Sequence, residues 1–296
     1  MIRVTLFVPG AATLRAARLD GFETEWIEND GGFGQAFSFG TVSADDVAQI
    51  DRAPGALIVY ASVDLREGRA QIVAAVEQLQ AAGALAVRLE QSKLGWTIAR
   101  WLEVFSADDA HAWHRAAVAI LEGKTALQTC GMHVFSLPDT RIEIGRDDRV
   151  ALRELATIFD VYQLAEDPLL RSGQTFTSDA ETPRRVLERW PDLEYPTDHP
   201  CHNPYGVWRL GPPGGKARKI GELEMTFVPA LVAILTAAED KAGKPLTQKQ
   251  VEKIRDGGAC IAMEPRDAQA LERTRGYADL DPELVWPQWQ ARRSLA

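Results

Sequence analysis

Residues 55–90, GALIVYASVDLREGRAQIVAAVEQLQAAGALAVRLE, carry the clearest secondary-structure pattern of the chain. The segment begins with the continuous apolar run Gly55–Ser62 and ends with a second apolar strand pattern at Ala84–Glu90. Between them, the apolar residues of Arg69–Ala82 recur at helical spacing, and Gly83 stands where a helix end favours a positive φ. This order predicts a βαβ unit with parallel, buried strands and a right-handed crossover.

The segments around this unit predict a mixed fold. Ala126–Phe135 and Thr140–Ile144 are predicted strands, joined through the turn Leu137-Pro138-Asp139, which allows an antiparallel pair. Arg146–Ala165 predicts a long amphipathic helix, and the charged, glycine-rich segment Leu19–Gly34 predicts a loop. We therefore expect an α/β fold of the mixed α+β kind, whose partly parallel sheet is flanked by helices.

A break in composition near residue 210 predicts a domain boundary. Arg209–Lys219 contains Leu-Gly-Pro-Pro-Gly-Gly, which interrupts regular structure, and then the basic run Lys-Ala-Arg-Lys. We divide the chain into an α/β domain at 1–211, a linker at 212–219 and a small all-helical C-terminal domain at 220–296. Up to residue 215 the chain has 20 basic and 30 acidic residues, against 13 and 12 beyond it, so the acidity lies in the main domain.

The composition of the 296 residues is that of an ordinary globular protein: 46% are hydrophobic, 25% are charged and the net charge is −9. This negative charge argues against a general nucleic-acid binder, which needs a cationic surface. The apolar run within Met1–Gly10 is shorter than the apolar core of a signal peptide, and no segment reaches the ~20 residues of a membrane span. Three distant cysteines, Cys130, Cys201 and Cys260, indicate neither a disulfide framework nor a cysteine-rich zinc site. We expect a soluble protein in a reducing cytoplasm.

Several short motifs lie between Pro54 and Leu210. They are Gly83-Ala-Leu-Ala-Val87, Thr129-Cys-Gly-Met-His-Val-Phe135 with Pro138-Asp139 and Glu143, Gly173-Gln-Thr-Phe176, and Asn203-Pro-Tyr-Gly-Val-Trp-Arg-Leu210. On these motifs the stretch resembles an uncharacterised bacterial family classed as a domain of unknown function. The tail segments Leu246–Asp256 and Arg275–Trp289 are similar to a second recurrent bacterial segment with no assigned role. The resemblance implies an α/β fold in a bacterial cytoplasm, and it carries over no active site.

The segment Thr197–Pro204 concentrates potential metal ligands. Asp198, His199, Cys201 and His202 fall within five residues, and carboxylate, imidazole and thiolate groups are the ligands of zinc. Ligands this close in sequence rarely converge on one ion, and the usual C-x-x-C or H-x₃-H spacing is missing. The segment is therefore either a metal loop or, as we favour, a solvated turn, and no metal site is predicted.

The turn after the second predicted strand, residues 90–96, is the first candidate for an active site. Open α/β sheets bind ligands at the carboxyl ends of their parallel strands. Glu90 would be the general base, Ser92 and Lys93 would contact substrate, and Trp96 and Trp101 would line a ligand pocket. The alternative, which we favour, is a surface turn beside core tryptophans.

Histidines outside these segments give weaker signals. His133 lies in a predicted apolar strand three residues after Cys130, where the two side chains would point to opposite faces, so a cysteine–histidine nucleophile pair is disfavoured. His111 and His114 are attributed to the polar face of a predicted helix. The chain contains no G-x-G-x-x-G, P-loop or G-x-S-x-G motif, so we expect no cofactor.

Two functional hypotheses follow. The first is a non-catalytic bacterial cytoplasmic binding protein whose acidic main domain steers a cationic partner, as a protective or regulatory partner of a basic protein. The second is a small-molecule hydrolase with its site near Glu90 or around His133 and His202. Neither hypothesis involves nucleic acid or a membrane, and the sequence does not predict the oligomeric state.

Overall fold

The computed structural model describes residues 3–37, 42–145, 148–217 and 220–294. The chain forms two compact units. The first unit comprises residues 1–122, 128–137 and 157–166, and the second comprises residues 123–127, 138–156 and 167–296. The second unit thus contains both the end of the predicted α/β domain and the predicted C-terminal domain. Among the described residues, no helix combines the length and apolar character that a bilayer crossing requires.

The first unit is built on a five-stranded sheet. Its strands are β1 (Val4–Gly10), β2 (Glu23–Glu28), β3 (Gly55–Ala61), β4 (Ala86–Leu89) and β5 (Gly95–Thr97). Its helices are α1 (Ala44–Asp51), α2 (Arg69–Ala81), α3 (Ile98–Ser106) and α4 (Ala110–Ala117), and β6 (Ala119–Glu122) follows them. In the sheet order β2-β3-β1-β4-β5, every neighbouring pair is antiparallel.

The order strand, helix, strand predicted for residues 55–90 is confirmed, but the two strands are not neighbours in the sheet. Both β3 and β4 run antiparallel to β1, which lies between them, so they run in the same direction without bonding to each other. Helix α2 connects them and buries Ile72, Val76 and Leu79 against the sheet. The apolar runs therefore predicted the direction and burial of these strands, whereas the insertion of β1 depends on long-range pairing.

The segment predicted as a loop, Leu19–Gly34, contains the edge strand β2. Its sequence ETEWIE alternates exposed acidic residues with partly buried ones, and Trp26 packs against the core. An edge strand leaves half of its side chains in water, so the charges concealed the period of two. A 3₁₀ helix occupies Gln35–Phe37, and residues 38–41 lie outside the described ranges.

The predicted strand Ala126–Phe135 is interrupted. Strand β7 covers Ala126–Cys130, and a 3₁₀ helix covers Met132–Phe135. Between them, Gly131 has φ 129°, and a Cβ there would collide with the carbonyl oxygen of Ala117. Only glycine fits this position, so the apolar run changes direction after β7.

The second unit contains a mixed sheet. Its strands are β8 (Asp139–Glu143), β9 (Thr175–Phe176), β10 (Arg185–Trp190) and β11 (Val207–Leu210). Strand β11 pairs with β8 in parallel and with β10 antiparallel, and β10 pairs antiparallel with β9. The expected mixed α+β class and partly parallel sheet are thus present. The long helix α5 is Arg149–Glu166, and the predicted start at Arg146 lies outside the described residues.

The tail is not all-helical, contrary to the prediction. It contains strands β12 (Glu224–Phe227) and β13 (Cys260–Met263) and helices α6 (Leu231–Ala242), α7 (Gln248–Gly257), α8 (Pro265–Arg275) and α9 (Val285–Arg293). The two strands form an antiparallel ribbon, and Phe227 is buried among the tail's helices. Backbone and side-chain bonds also tie the tail to the preceding sheet: the Ala278 amide donates to Pro204, and Gln288 donates to the Arg189 carbonyl. A separate helical domain is therefore not confirmed.

Candidate functional site

The Glu90 turn is held by a cluster of ions. One carboxylate oxygen of Glu90 contacts Arg88 at 2.8 Å from Nε and 2.6 Å from Nη2, and the other contacts the Lys93 ammonium at 2.6 Å. Lys93 itself adopts a positive φ of 60°. With cations on both of its oxygens, the carboxylate already has partners in the positions where a general base would accept a substrate proton. The geometry is that of a turn fixed by its own charges.

The other predicted residues of this turn are mostly buried. Ser92 is buried, and its hydroxyl has no hydrogen-bond partner among the described residues. The Trp96 indole donates to the Ala116 carbonyl at 2.9 Å. Trp101 lies in the core with its ring centroid 4.5 Å from that of Phe105. Trp101 therefore fills the core of the first unit and does not face solvent.

His133 and Cys130 are both buried, but not on one strand. Cys130 ends β7 and His133 belongs to the 3₁₀ helix, so the alternation of a strand does not relate their directions. The Cys130 thiol donates to the Gln91 carbonyl at 3.3 Å. These contacts give the thiol a structural partner in the turn after β4.

A buried histidine–aspartate pair was missed by the sequence analysis. His114 Nε2 lies 3.1 Å from Asp160 Oδ2, and Gln163 donates to the other oxygen of Asp160 at 3.4 Å. His114 is buried beside Trp113, so the prediction of a solvated polar face was wrong for this residue, whereas His111 is exposed. The available signal was Asp160 itself, a lone carboxylate within an apolar stretch of α5.

The loop with potential metal ligands directs its imidazoles to different partners. His199 accepts a hydrogen bond from the Cys201 amide at 3.1 Å and stacks on Tyr195 at 4.7 Å. His202 Nδ1 lies 3.1 Å from the Tyr195 carbonyl and 3.6 Å from Asp192 Oδ2. Asp198 is exposed and Cys201 is buried. Within the described ranges, no group of three or more His, Cys, Asp or Glu residues is arranged to hold a metal ion.

A small polar cavity adjoins His202. Its polar lining includes Asp192, Asn203, Asp279 and Arg292, and its volume of about 20 Å³ admits about one water molecule. Burial lowers the pKa of His202 despite the opposing field of Asp192. Burial also lowers the pKa of Arg292 and raises that of Asp279. The site places the His202 imidazole beside a space for about one water molecule.

The two units differ in charge. The first unit contains 18 acidic and 10 basic residues, a net charge of −8, whereas the second contains 24 and 23, a net charge of −1. Fourteen of the 18 carboxylates of the first unit are exposed, against five of its ten cations. The acidity expected for the main domain therefore resides in the first unit.

The densest part of this charge runs along residues 20–30, which we call the acidic edge. It contains five exposed carboxylates and no Lys or Arg: Asp20, Glu23, Glu25, Glu28 and Asp30. Within the described part of the chain, only Glu28 among the five has an ion-pair partner, the exposed Arg15 at 3.1 Å. The acidic edge follows β2, the outermost strand of its sheet.

The side chain of Tyr60 lies beside the acidic edge, and its pKa reflects the nearby negative charge. It lies opposite Glu23 on the neighbouring strand, and its hydroxyl donates to Glu25 at 3.0 Å. Burial, the hydrogen bond to Glu25 and the fields of Glu25 and Glu90 raise the pKa of Tyr60 above its usual range. Glu23, Glu25 and Tyr60 thus form an anionic surface with one aromatic ring.

None of the protein-family models, curated proteins and solved structures compared with the chain matches it. Function is therefore inferred from the residues of the chain alone.

Proposed function

We propose that the protein is a non-catalytic binding protein whose acidic edge recognises a basic protein. The supporting observation is the set of five exposed carboxylates on residues 20–30, four of which have no ion-pair partner among the described residues. Carboxylates that are not paired internally remain available to cations of a partner.

The arrangement on β2 suits a partner segment in extended conformation. Side chains two residues apart on a strand point the same way and are about 7 Å apart, so Glu23 and Glu25 present two carboxylates on one side. Arginine and lysine side chains at alternate positions of a partner strand have the same spacing, and arginine bonds carboxylates with two parallel hydrogen bonds. The net charge of −8 adds a long-range field that accelerates encounter with a cation.

The setting of this interaction is part of the proposal. A bacterial cytoplasm is what the resemblance of residues 54–210 implies, and a protective or regulatory role fits a protein that covers a cationic surface of its partner. The engagement of both Glu90 oxygens by cations supports binding over catalysis at the turn after β4.

The test measures partner binding by full-length variants. The basic partner is first purified from the source cells on the immobilised wild-type chain, and its affinity is then measured by calorimetry. We expect Glu23→Lys/Glu25→Lys to weaken binding by about tenfold or more at low salt, because two favourable charge contacts become repulsive. Added salt should weaken the wild-type complex in parallel.

The matched control is Glu67→Lys/Glu77→Lys, which changes the net charge equally at exposed positions of the first unit. It should retain most of the affinity. Equal losses in both double variants would replace the acidic edge by a diffuse charge effect, and a partner that is not basic would overturn the proposal.

A second candidate function, hydrolysis, is favoured by the cavity at His202. An imidazole 3.6 Å from Asp192, beside a space for about one water molecule, is the arrangement of a general base that activates water. The test is turnover of a panel of small esters and amides by the wild-type chain and by His202→Gln. Activity lost in His202→Gln and retained in His199→Gln would favour hydrolysis, whereas absence of turnover in the wild type would exclude this panel's chemistry.

A further inference from the structure

The ribbon of β12 and β13 carries most of the large apolar side chains that the described residues expose. Six such side chains are exposed, and four of them lie on or next to the ribbon: Leu223, Met225, Val228 and Ile261. Ile261 is 53% exposed and Met225 52%. Apolar side chains grouped on one element mark an interaction surface more often than scattered ones do.

The register shows which edges of the ribbon are occupied. The Val228 amide donates to the Ala259 carbonyl at 3.0 Å, and Thr226 lies opposite Ile261. Hydrogen-bonded pairs alternate along an antiparallel ladder, so Ile261 bonds inward while the backbone groups of Cys260 and Ala262 point outward. No hydrogen bond between described residues uses these outward groups.

The two edges of the ribbon differ. On the outer side of β12, Arg171 donates to the Leu223 carbonyl at 3.1 Å and Arg275 donates to the Phe227 carbonyl at 2.8 Å. On the outer side of β13, Cys260, Ile261 and Ala262 are all exposed. The open edge is thus β13, an uncharged strand whose outward donors and acceptors are engaged by none of the described residues. Natural proteins usually protect such an edge.

We propose that β13 pairs antiparallel with β13 of a second copy of this chain, across a two-fold axis at Ile261. In this register, Cys260 of each copy lies opposite Ala262 of the other, and each pair exchanges two backbone hydrogen bonds. The two Ile261 side chains meet on the axis and cover each other. The ribbons join into a four-stranded sheet in the order β12-β13-β13-β12.

Charge favours a second copy over another partner. The sequence Cys260-Ile-Ala-Met263 contains no charge that would select an ionic partner, and an isologous contact supplies the matching uncharged strand. Because this strand has no ionisable carboxylate or ammonium group, two copies can pair along it without placing like charges opposite each other. The contact is small, so we expect a dimer that dissociates on dilution.

The first test is the oligomeric state of the full-length chain by sedimentation equilibrium over a range of concentrations. We expect a monomer–dimer equilibrium in the wild type. Ile261→Lys should raise the dissociation constant by at least about tenfold, because it places two ammonium groups opposite each other. The control Val150→Lys changes another exposed residue on α5 and should leave the equilibrium unchanged, with both variants retaining the wild-type circular dichroism.

The second test fixes the register. Opposite residues of a non-hydrogen-bonded pair have Cα atoms about 4.5 Å apart, which a disulfide can bridge. In a Cys260→Ser background, Ile261→Cys should form a disulfide-linked dimer on mild oxidation, whereas the equally exposed Met225→Cys should not. A wild type that remains monomeric at every concentration would overturn the proposal and leave β13 to a strand of another protein. A dimer that Ile261→Lys does not weaken would overturn it as well.

Discussion

The acidic edge of the first unit leaves most of its charges in water, whereas ion pairs of the second unit link its tail to the rest of that unit. In the second unit, Arg189 lies 3.5 Å from Glu272 and Arg171 lies 3.5 Å from Glu224, so pairs of opposite sign connect the tail to the sheet. In the first unit, the acidic edge has a single ion-pair partner among the described residues. Paired charges position a fold, whereas unpaired charges act on molecules at a distance. If the acidic edge binds a basic partner as proposed, the charges that attract the partner are separate from those that stabilise the second unit.

The largest expected effect comes from breaking the buried pair of His114 and Asp160 in the first unit. Asp160→Ala removes the acceptor of both His114 and Gln163 and should lower the free energy of unfolding by about 3 kcal/mol, measured by urea denaturation. Glu166→Ala, at an exposed position of the same helix, should cost less than about 0.5 kcal/mol. A similar small loss in both variants would show that the pair contributes little.

Each unit contains a helix with a side-chain N-cap, so the effect of losing a cap can be compared between the two units. Asp109 caps α4 of the first unit by accepting from His111 at 2.9 Å, and Thr247 caps α7 of the second in a capping box with Gln250. Replacing either cap by alanine should cost about 1 kcal/mol. Hydrogen exchange shows which part of the protein loses stability, and we expect faster exchange in the helix whose cap was removed. Faster exchange throughout both units would show instead that they open together.

The pH dependence of stability tests the internal ion pairs of the second unit through Glu272. Burial raises the pKa of Glu272 above 4.5, and Arg189 only partly opposes it. The folded protein therefore holds this proton more tightly than the unfolded chain, so the contribution to stability is complete below pH 4.5 and is lost as pH rises through the folded pKa. Glu272→Gln should flatten this decline in urea unfolding across mildly acidic pH. Glu283→Gln, at an exposed position, should leave the slope unchanged.

The smallest expected effect reports the field of the acidic edge. Glu25→Gln removes both a charge and the acceptor of a hydrogen bond from Tyr60, so the pKa of Tyr60 should fall toward 10. Absorbance titration of the phenol measures this change. Glu77→Gln, on α2, serves as the control. If the pKa of Tyr60 is unchanged in Glu25→Gln, the evidence for a local anionic surface is lost.

The sequence predicted elements whose pattern is local. The apolar runs at 55–62 and 84–90 correspond to β3 and β4, and Arg69–Ala82 corresponds to α2. The prediction failed for strands whose conformation depends on pairing with residues distant in sequence. Strand β2 was hidden because its charges lie on a sheet edge, and β12 was hidden because its four residues precede a long helix whose composition dominates the segment.

The candidate site was harder to predict because its contacts join distant residues. His114 and Asp160 are 46 positions apart, and no sequence feature around either residue predicts that they are in contact. The acidic edge was visible as a charge-rich segment, but its strand conformation, and hence the common direction of Glu23 and Glu25, required the pairing with β3. Charge can be counted from sequence; the direction in which it points requires the sheet.

Arg171 and Arg275 have a consequence for the growth of assemblies. Strands that are bare on both sides can stack without limit, as they do in amyloid fibrils. The two guanidinium groups occupy the Leu223 and Phe227 carbonyls on the outer side of β12. If β13 pairs with a second copy as proposed, the far edge of the ribbon is therefore a poorer template for a further strand. These two arginines would thereby hinder the addition of further strands and favour a dimer over a polymer.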